Sequence, residues 1–121
     1  MNSKATANGN GGSKWIRAEK RLAIYLRDRF CCAYCGRDLS TAPACEVTLD
    51  HLAARSAGGS HEASNLVMAC RSCNSSRQDK PWRQYATGGA IERITRARRR
   101  ALNLDLARAI IAGRGHPLET P

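Results

Sequence analysis

The spacing of apolar positions divides the chain into a few short elements. Over residues 14–30, Trp15, Ala18, Leu22, Leu26 and Phe30 recur at helical intervals, which predicts a helix with this stripe in the core. Arg17, Lys20, Arg21 and Arg27 fall off the stripe, on a face that is either solvated or set against phosphate. Residues 46–50, EVTLD, are β-branched enough for a short strand that ends at Asp50 and His51. Asn65-Leu-Val-Met-Ala predicts a second strand, antiparallel to the first, with a loop around Gly58 and Gly59 over residues 53–63 between them. Residues 71–79 then predict a helix carrying Cys73 and Asn74. Beyond Pro81, Trp82 and Tyr85 are expected to pack back on the preceding core, and Thr87-Gly-Gly marks a break. Ile91 and Ile94 predict the inward side of a helix over 90–101. Leu102, Leu106, Ala109 and Ile110 predict further helix over about 103–113, ended by Gly113; one helix or two both fit. Residues 1–13 are rich in Gly, Asn and Ser and are expected to be disordered, and His116 is expected to have no role.

Cysteine spacing adds a constraint that the apolar pattern does not carry. Cys32-x2-Cys35 and Cys70-x2-Cys73 are two knuckle pairs, a donor set suited to one tetrahedral structural zinc. Gly36 permits the tight turn after the first knuckle. The other readings of these thiols are disulfides or buried hydrophobes. Cys31 and Cys45 are expected to be small core residues, with Cys45 a minor alternative ligand.

The segment between the knuckles carries candidate chemistry. Asp50 and Asn74 both offer oxygen, and a hard cation such as Mg²⁺ takes oxygen donors at about 2.0–2.1 Å while keeping several waters. Adjacent residues on a strand point to opposite faces, so Asp50 and His51 divide the work unless the chain bends there. That division makes Asp50 a ligand and His51 a general base, since imidazole titrates near neutral pH. A surface Asp-His pair at a strand end is the plainer alternative. Arg55 is placed to hold a phosphate or to make a salt bridge, and His61 in the same loop to meet solvent, substrate or metal.

In order, DHLAARSAGG, NLVMACRSCN and DKPW resemble the HNH endonucleases and their ββα-metal motif, over about Arg27 to Trp82. The resemblance implies an α+β fold: a small treble-clef-like core stapled by zinc at Cys32, Cys35, Cys70 and Cys73, with flanking helices. It implies that Asp50 and Asn74 hold a divalent cation, Mg²⁺ or Mn²⁺, and that His51 is the base. It also implies that Asn65 braces the loop around His51. Asn74 stands where the family has His or Asn, and Ala54 where it usually has Pro. The implied organisation is a disordered segment 1–13, a nuclease domain 14–82 and a basic helical extension 83–121.

Composition and charge fit that picture. Aromatic residues make up only 5% of the chain, which favours a metal staple over a large apolar core. The formal net charge of +10 points to a polyanion, DNA first, with Arg96, Arg98, Arg99 and Arg100 as candidate phosphate contacts. No apolar run reaches membrane-spanning length and no secretory h-region precedes the cysteines, so a cytoplasmic protein with reduced, metal-binding thiols is expected. The rival reading is a non-catalytic zinc module that binds DNA or RNA.

Overall fold

A computed structural model describes residues 16–54 and 58–114. Its elements in order are α1 (Ala18–Arg27), β1 (Val47–His51), β2 (Leu66–Cys70), α2 (Arg71–Arg77), α3 (Trp82–Tyr85), α4 (Ala90–Ala97) and α5 (Leu104–Arg114). Short 3-10 turns at Ala44–Glu46 and Ala63–Asn65 lead into the two strands. The strands form an antiparallel pair in which Val47 faces Cys70, Asp50 faces Val67 and His51 faces Leu66. The fold is α+β, with a ββα unit at its centre and four cysteines clustered beside it. No helix among the described residues is long and apolar enough to cross a membrane.

All five residues of β2 are buried. Leu66 packs with Ile16 and Ile24, while Val67 and Met68 join a larger cluster with Cys32, Leu39, Leu52, Trp82 and Ile94. Each such aliphatic side chain contributes about 1.5–3 kcal/mol by leaving water. Trp82, Ala86, Ala90 and Ile94 belong to that same cluster, so the core continues past residue 82 into α3 and α4. Leu22 and Ala23 of α1 meet Ala107 of α5 in a third cluster, with Leu104 and Ile110 against them.

Helix ends differ from the sequence reading where backbone geometry intervenes. Helix α1 stops at Arg27, three residues before the expected end, because Arg29 and Phe30 take positive φ angles of 59° and 55°. The Phe30 amide then closes the end by donating to the Tyr25 carbonyl at 3.0 Å. The basic tail is two helices: α4 ends at Ala97 and α5 begins at Leu104. Trp15, Arg55, His116 and the expected disordered segment lie outside the described residues.

Arg27 corrects the expectation that it lies on a solvated or phosphate-facing side. It is 6% exposed, pairs through Nε with Asp28 Oδ1 at 2.7 Å, and donates to the carbonyls of Ala63 (2.8 Å) and Leu66 (2.6 Å). Asp28 Oδ2 in turn accepts from the Met68 amide at 2.8 Å. This pair fastens the end of α1 to the start of β2. Cys45 also departs from expectation: it is exposed, and it lies outside the cysteine cluster.

Candidate active site and metal centre

The four sulfurs of Cys32, Cys35, Cys70 and Cys73 all lie within 4.8 Å of one another. Those of Cys35 and Cys70 are 3.9 Å apart. A tetrahedral ZnS4 centre with Zn–S near 2.3 Å has sulfur–sulfur edges of about 3.8 Å, so the donor set fits zinc. Each knuckle makes an amide-to-sulfur bond, Cys35 N to Cys32 Sγ at 3.5 Å and Cys73 N to Cys70 Sγ at 3.4 Å. Gly36, at φ 78°, closes the first knuckle by donating to the Cys32 carbonyl at 2.9 Å. Burial pushes the Cys32 and Cys73 thiols up. Burial also works against the Cys70 thiolate, but the Cys73 amide and the neighbouring thiols outweigh it and hold its pKa below the usual value. A zinc ion held here would displace the protons of these thiols.

Cys70 is also the N-cap of α2, its sulfur accepting from the Cys73 amide. The metal centre therefore starts the helix that carries the next residues of interest. Asn74 and Arg77 are three apart on α2 and share a face. Thr48 and Asp50 are two apart on β1 and share a face. These faces meet: Asn74 Nδ2 donates to Thr48 Oγ1 at 3.0 Å, and Arg77 pairs with Asp50.

Asp50 is 5% exposed, and both of its carboxylate oxygens accept hydrogen bonds. Arg77 Nη1 donates to Oδ1 at 2.7 Å and to Oδ2 at 2.8 Å, and the Tyr34 hydroxyl donates to Oδ2 at 2.5 Å. Burial pushes the Asp50 carboxyl above the usual carboxylate range, against the lowering pull of Tyr34 and Arg77. Burial, with the Asp50 charge next, pushes the Tyr34 hydroxyl up in turn. The sequence reading makes Asp50 an open ligand for a divalent cation. In this arrangement it does not fit that role, because a cation at Asp50 would stand beside a guanidinium.

Arg77 does more than neutralise Asp50. Its Nη1 reaches the His51 carbonyl (3.0 Å), its Nη2 the Leu52 carbonyl (2.7 Å) and its Nε the Lys80 carbonyl (3.0 Å). The Lys80 contact depends on a tight turn in which the Lys80 amide donates to the Arg77 carbonyl at 3.0 Å. Gln78 turns the corner at φ 53°, ψ −126°. A non-glycine residue there costs on the order of 1–3 kcal/mol, which the Arg77 bonds offset.

His51, on the opposite phase of β1, faces the loop after the strand. Its Nε2 lies 3.1 Å from His61 Nδ1. Asn65 is buried and ties that loop: Oδ1 accepts from Ala53 N at 2.8 Å, and Nδ2 donates to the carbonyls of Ala53 (3.0 Å) and Ser60 (2.7 Å). Gly59 passes so close to Ala53 that a Cβ would stand 1.8 Å from the Ala53 carbonyl oxygen. His51, Asp50, Asn74 and Arg77 line one cleft of about 530 Å³, together with Lys80, Pro81, Trp82 and Arg83. Lys80 and Arg83 are exposed, and the Arg83 guanidinium sits 4.5 Å from the Trp82 ring centroid.

The four arginines chosen as phosphate contacts have different surroundings. Arg98 Nε donates to the Ser64 carbonyl at 2.9 Å, and Arg100 Nη1 to the Arg27 carbonyl at 3.3 Å. Arg96 is exposed with Glu92 3.9 Å away, and Arg99 is exposed. The sequence reading did not find Tyr34, Arg77, Lys80 or Arg83. The DKPW stretch was the nearest signal to the last two. Tyr34 and Arg77 left none, being one filler position of a knuckle and one more arginine on a basic helix.

Residues 32–80 match the family model described as HNH endonuclease. The match spans all four clustered cysteines together with Asp50, His51, Asn65, Asn74 and Arg77. No curated protein and no solved structure matches the chain.

Proposed function

With an HNH endonuclease domain at residues 32–80, we propose that the protein hydrolyses phosphodiester bonds of DNA, with His51 as general base. The observation that carries this reading is the placement of His51. It ends β1 and lines a cleft that Lys80 and Arg83 also line. In that cleft His51 takes a proton from water as the water attacks phosphorus, a step in which a positioned base contributes about 10²–10⁴-fold. Lys80 and Arg83 meet the phosphate charge as it grows. By resemblance, the 3′ oxygen leaves and the products carry 5′-phosphate and 3′-hydroxyl ends. Asn65 keeps the loop beside His51 in place, and the four cysteines hold a structural zinc outside the reaction.

The resemblance also implies a divalent cation on Asp50 and Asn74. Placing one there requires Arg77 to give up Asp50, and no step above is routed through it. That closed carboxylate is the observation that favours the rival, a non-catalytic zinc module that binds nucleic acid. Nicking of supercoiled plasmid, with Mg²⁺ or Mn²⁺ added, separates the two. The wild type should nick, and His51→Ala should lose roughly 10²-fold or more with DNA binding and zinc content unchanged. A wild type that binds DNA and nicks with neither cation supports the rival, and a fully active His51→Ala removes the base assignment.

A further inference from the structure

We propose that Arg93 is a positioning residue for the metal centre: from α4, outside the stretch that matches the family, its guanidinium clamps the first cysteine knuckle and so slows the release of zinc. This rests on the reading of Cys32, Cys35, Cys70 and Cys73 as a zinc site and adds to it the residue that keeps the less supported half closed.

The two knuckles are built differently. Cys70 ends β2 and caps α2, and Cys73 lies within α2, so the second knuckle is part of regular structure. The first knuckle belongs to none of the helices or strands. Its internal bonds are the Cys32 amide on the Arg37 carbonyl and the Gly36 amide on the Cys32 carbonyl, both at 2.9 Å. It is tied to β2 by the Ala33 amide, which donates to the Met68 carbonyl at 2.9 Å. Cys35 is the exposed member of the four; Cys32 and Cys70 are buried and Cys73 is half-buried. A chelator therefore reaches Cys35 first, and zinc leaves by the opening of the turn around it.

Arg93 lies over that turn. Its Nε donates to the Ala33 carbonyl at 3.0 Å, and its Nη2 makes a longer contact with the Tyr34 carbonyl at 3.4 Å. Ala33 and Tyr34 are the two residues between Cys32 and Cys35, so one guanidinium holds both. A Cβ at Gly36 would stand 3.8–3.9 Å from three atoms of the same guanidinium, which puts the head against the residue after Cys35. Ala33 is thereby gripped on both sides, its amide by β2 and its carbonyl by α4. Helix α4 is a firm support, because Ala90, Ile94 and Ala97 are buried in the core. The bond from a guanidinium is charge-assisted and of the stronger kind. Four thiolates around one Zn²⁺ leave a net negative charge, which a fixed cation beside the knuckle offsets. Tyr34 carries the effect further: its hydroxyl donates to Asp50 at 2.5 Å, so an opened knuckle withdraws that bond from the cleft. Partners that orient metal ligands from outside typically contribute about 10- to 100-fold in metal affinity. Arg93 is exposed and acts through the main chain, so the lower end of that range applies.

Zinc transfer from the full-length zinc-loaded protein to a colorimetric chelator, well below the melting temperature, tests this. Arg93→Ala removes no buried side chain and should fold. Its zinc should leave about 10-fold faster than that of the wild type. Arg93→Lys, which can reach one carbonyl but has no fork, should recover part of the difference. Arg98→Ala, which gives up a bond to the Ser64 carbonyl instead, should release zinc at the wild-type rate. Release from Arg93→Ala at the wild-type rate overturns the proposal. So does an equal acceleration in Arg98→Ala, which would make the effect one of general loosening. In the wild type itself, the Arg93 Nε–H should exchange with water more slowly than that of Arg96, whose side chain is exposed. Equal exchange overturns the clamp even if no variant folds. A wild type that carries no zinc sinks the zinc reading and the proposal with it, whereas unchanged release from a zinc-loaded Arg93→Ala removes the role of Arg93 alone.

Discussion

Replacing Asp50 with Asn separates two roles that a loss of activity would not. If Asp50 were an open cation ligand, Asp50→Asn would relieve a site with no ion in it and leave the melting temperature near the wild-type value. The structure instead places it in a buried pair, with Asp50 and Arg77 each 5% exposed and nitrogen-to-oxygen distances of 2.7 and 2.8 Å. Removing one partner of such a pair costs about 3–5 kcal/mol, because the other is left as a buried charge. Arg77 cannot relieve that by losing its proton. It does keep its bonds to the His51, Leu52 and Lys80 carbonyls, so the lower figure, about 3 kcal/mol, applies. For about 100 ordered residues each kcal/mol moves Tm by roughly 4 °C, so a fall of about 12 °C is expected for Asp50→Asn. Arg77→Met should cost at least as much: Asp50 can take up a proton and keep its bond to Tyr34, but the His51, Leu52 and Lys80 carbonyls lose their donor. The double variant should be more stable than the sum of the two losses by about 1–3 kcal/mol. The assay is thermal unfolding of zinc-loaded protein without added divalent cation. An Asp50→Asn variant that melts within two degrees or so of wild type, or a pair of losses that simply add, would refute the buried-pair account and return Asp50 to the role of open ligand.

Elemental analysis should find about one zinc per chain, and stripping it with a strong chelator should abolish cooperative unfolding, since structural zinc affinity is folding free energy. Cys70→Ser should lose both zinc and fold, while Cys45→Ser keeps both; zinc retention by Cys70→Ser would break the four-cysteine assignment. Among the tail arginines, Arg96→Ala with Arg99→Ala should reduce the salt slope of DNA binding by roughly 2 units, at about 0.9 per phosphate neutralised. Arg98→Ala should leave that slope nearly unchanged and lower Tm, because its guanidinium is committed to the Ser64 carbonyl; the opposite pattern would reverse these roles.

What was legible in the sequence is what is local. A Cys-x2-Cys pair with glycine behind it has few conformations other than a knuckle, and the structure brings the two knuckles together. The strands were found within one residue because β2 is a continuous apolar run and β1 is a β-branched segment in which Val47 and Leu49 alternate with Thr48. Asn65 makes three bonds across the loop, and the bracing of His51 is the role that the family resemblance implies for it. The partners of Asp50 were not legible. Arg77 stands 27 positions away and Tyr34 stands 16, and neither distance leaves a periodic trace. His61 was visible as a loop histidine, but its approach to His51 depends on Lys20, 41 residues away in α1.

The arginines show why charge was the least reliable guide to individual residues. Main-chain carbonyls in loops and at element ends have no partner from a helix or sheet ladder, and those that are buried must be bonded in another way. A guanidinium carries five donors on a long stem and can meet several carbonyls at once. Arg27, Arg77, Arg93, Arg98 and Arg100 all donate to main-chain carbonyls, and Arg93 does so on Ala33 and Tyr34 inside the first knuckle. Of these five, Arg27 and Arg77 also have carboxylate partners, Asp28 and Asp50. Five of the 20 basic residues that suggested a polyanion thus also serve the protein's own frame. A binding surface for phosphate has to be sought among the cations whose heads remain exposed, and Lys80 and Arg83 are the exposed ones that line the cleft with His51. The turn at Gln78 that lets Arg77 hold the end of β1 also leads into Lys80 and Arg83, which line the cleft with His51.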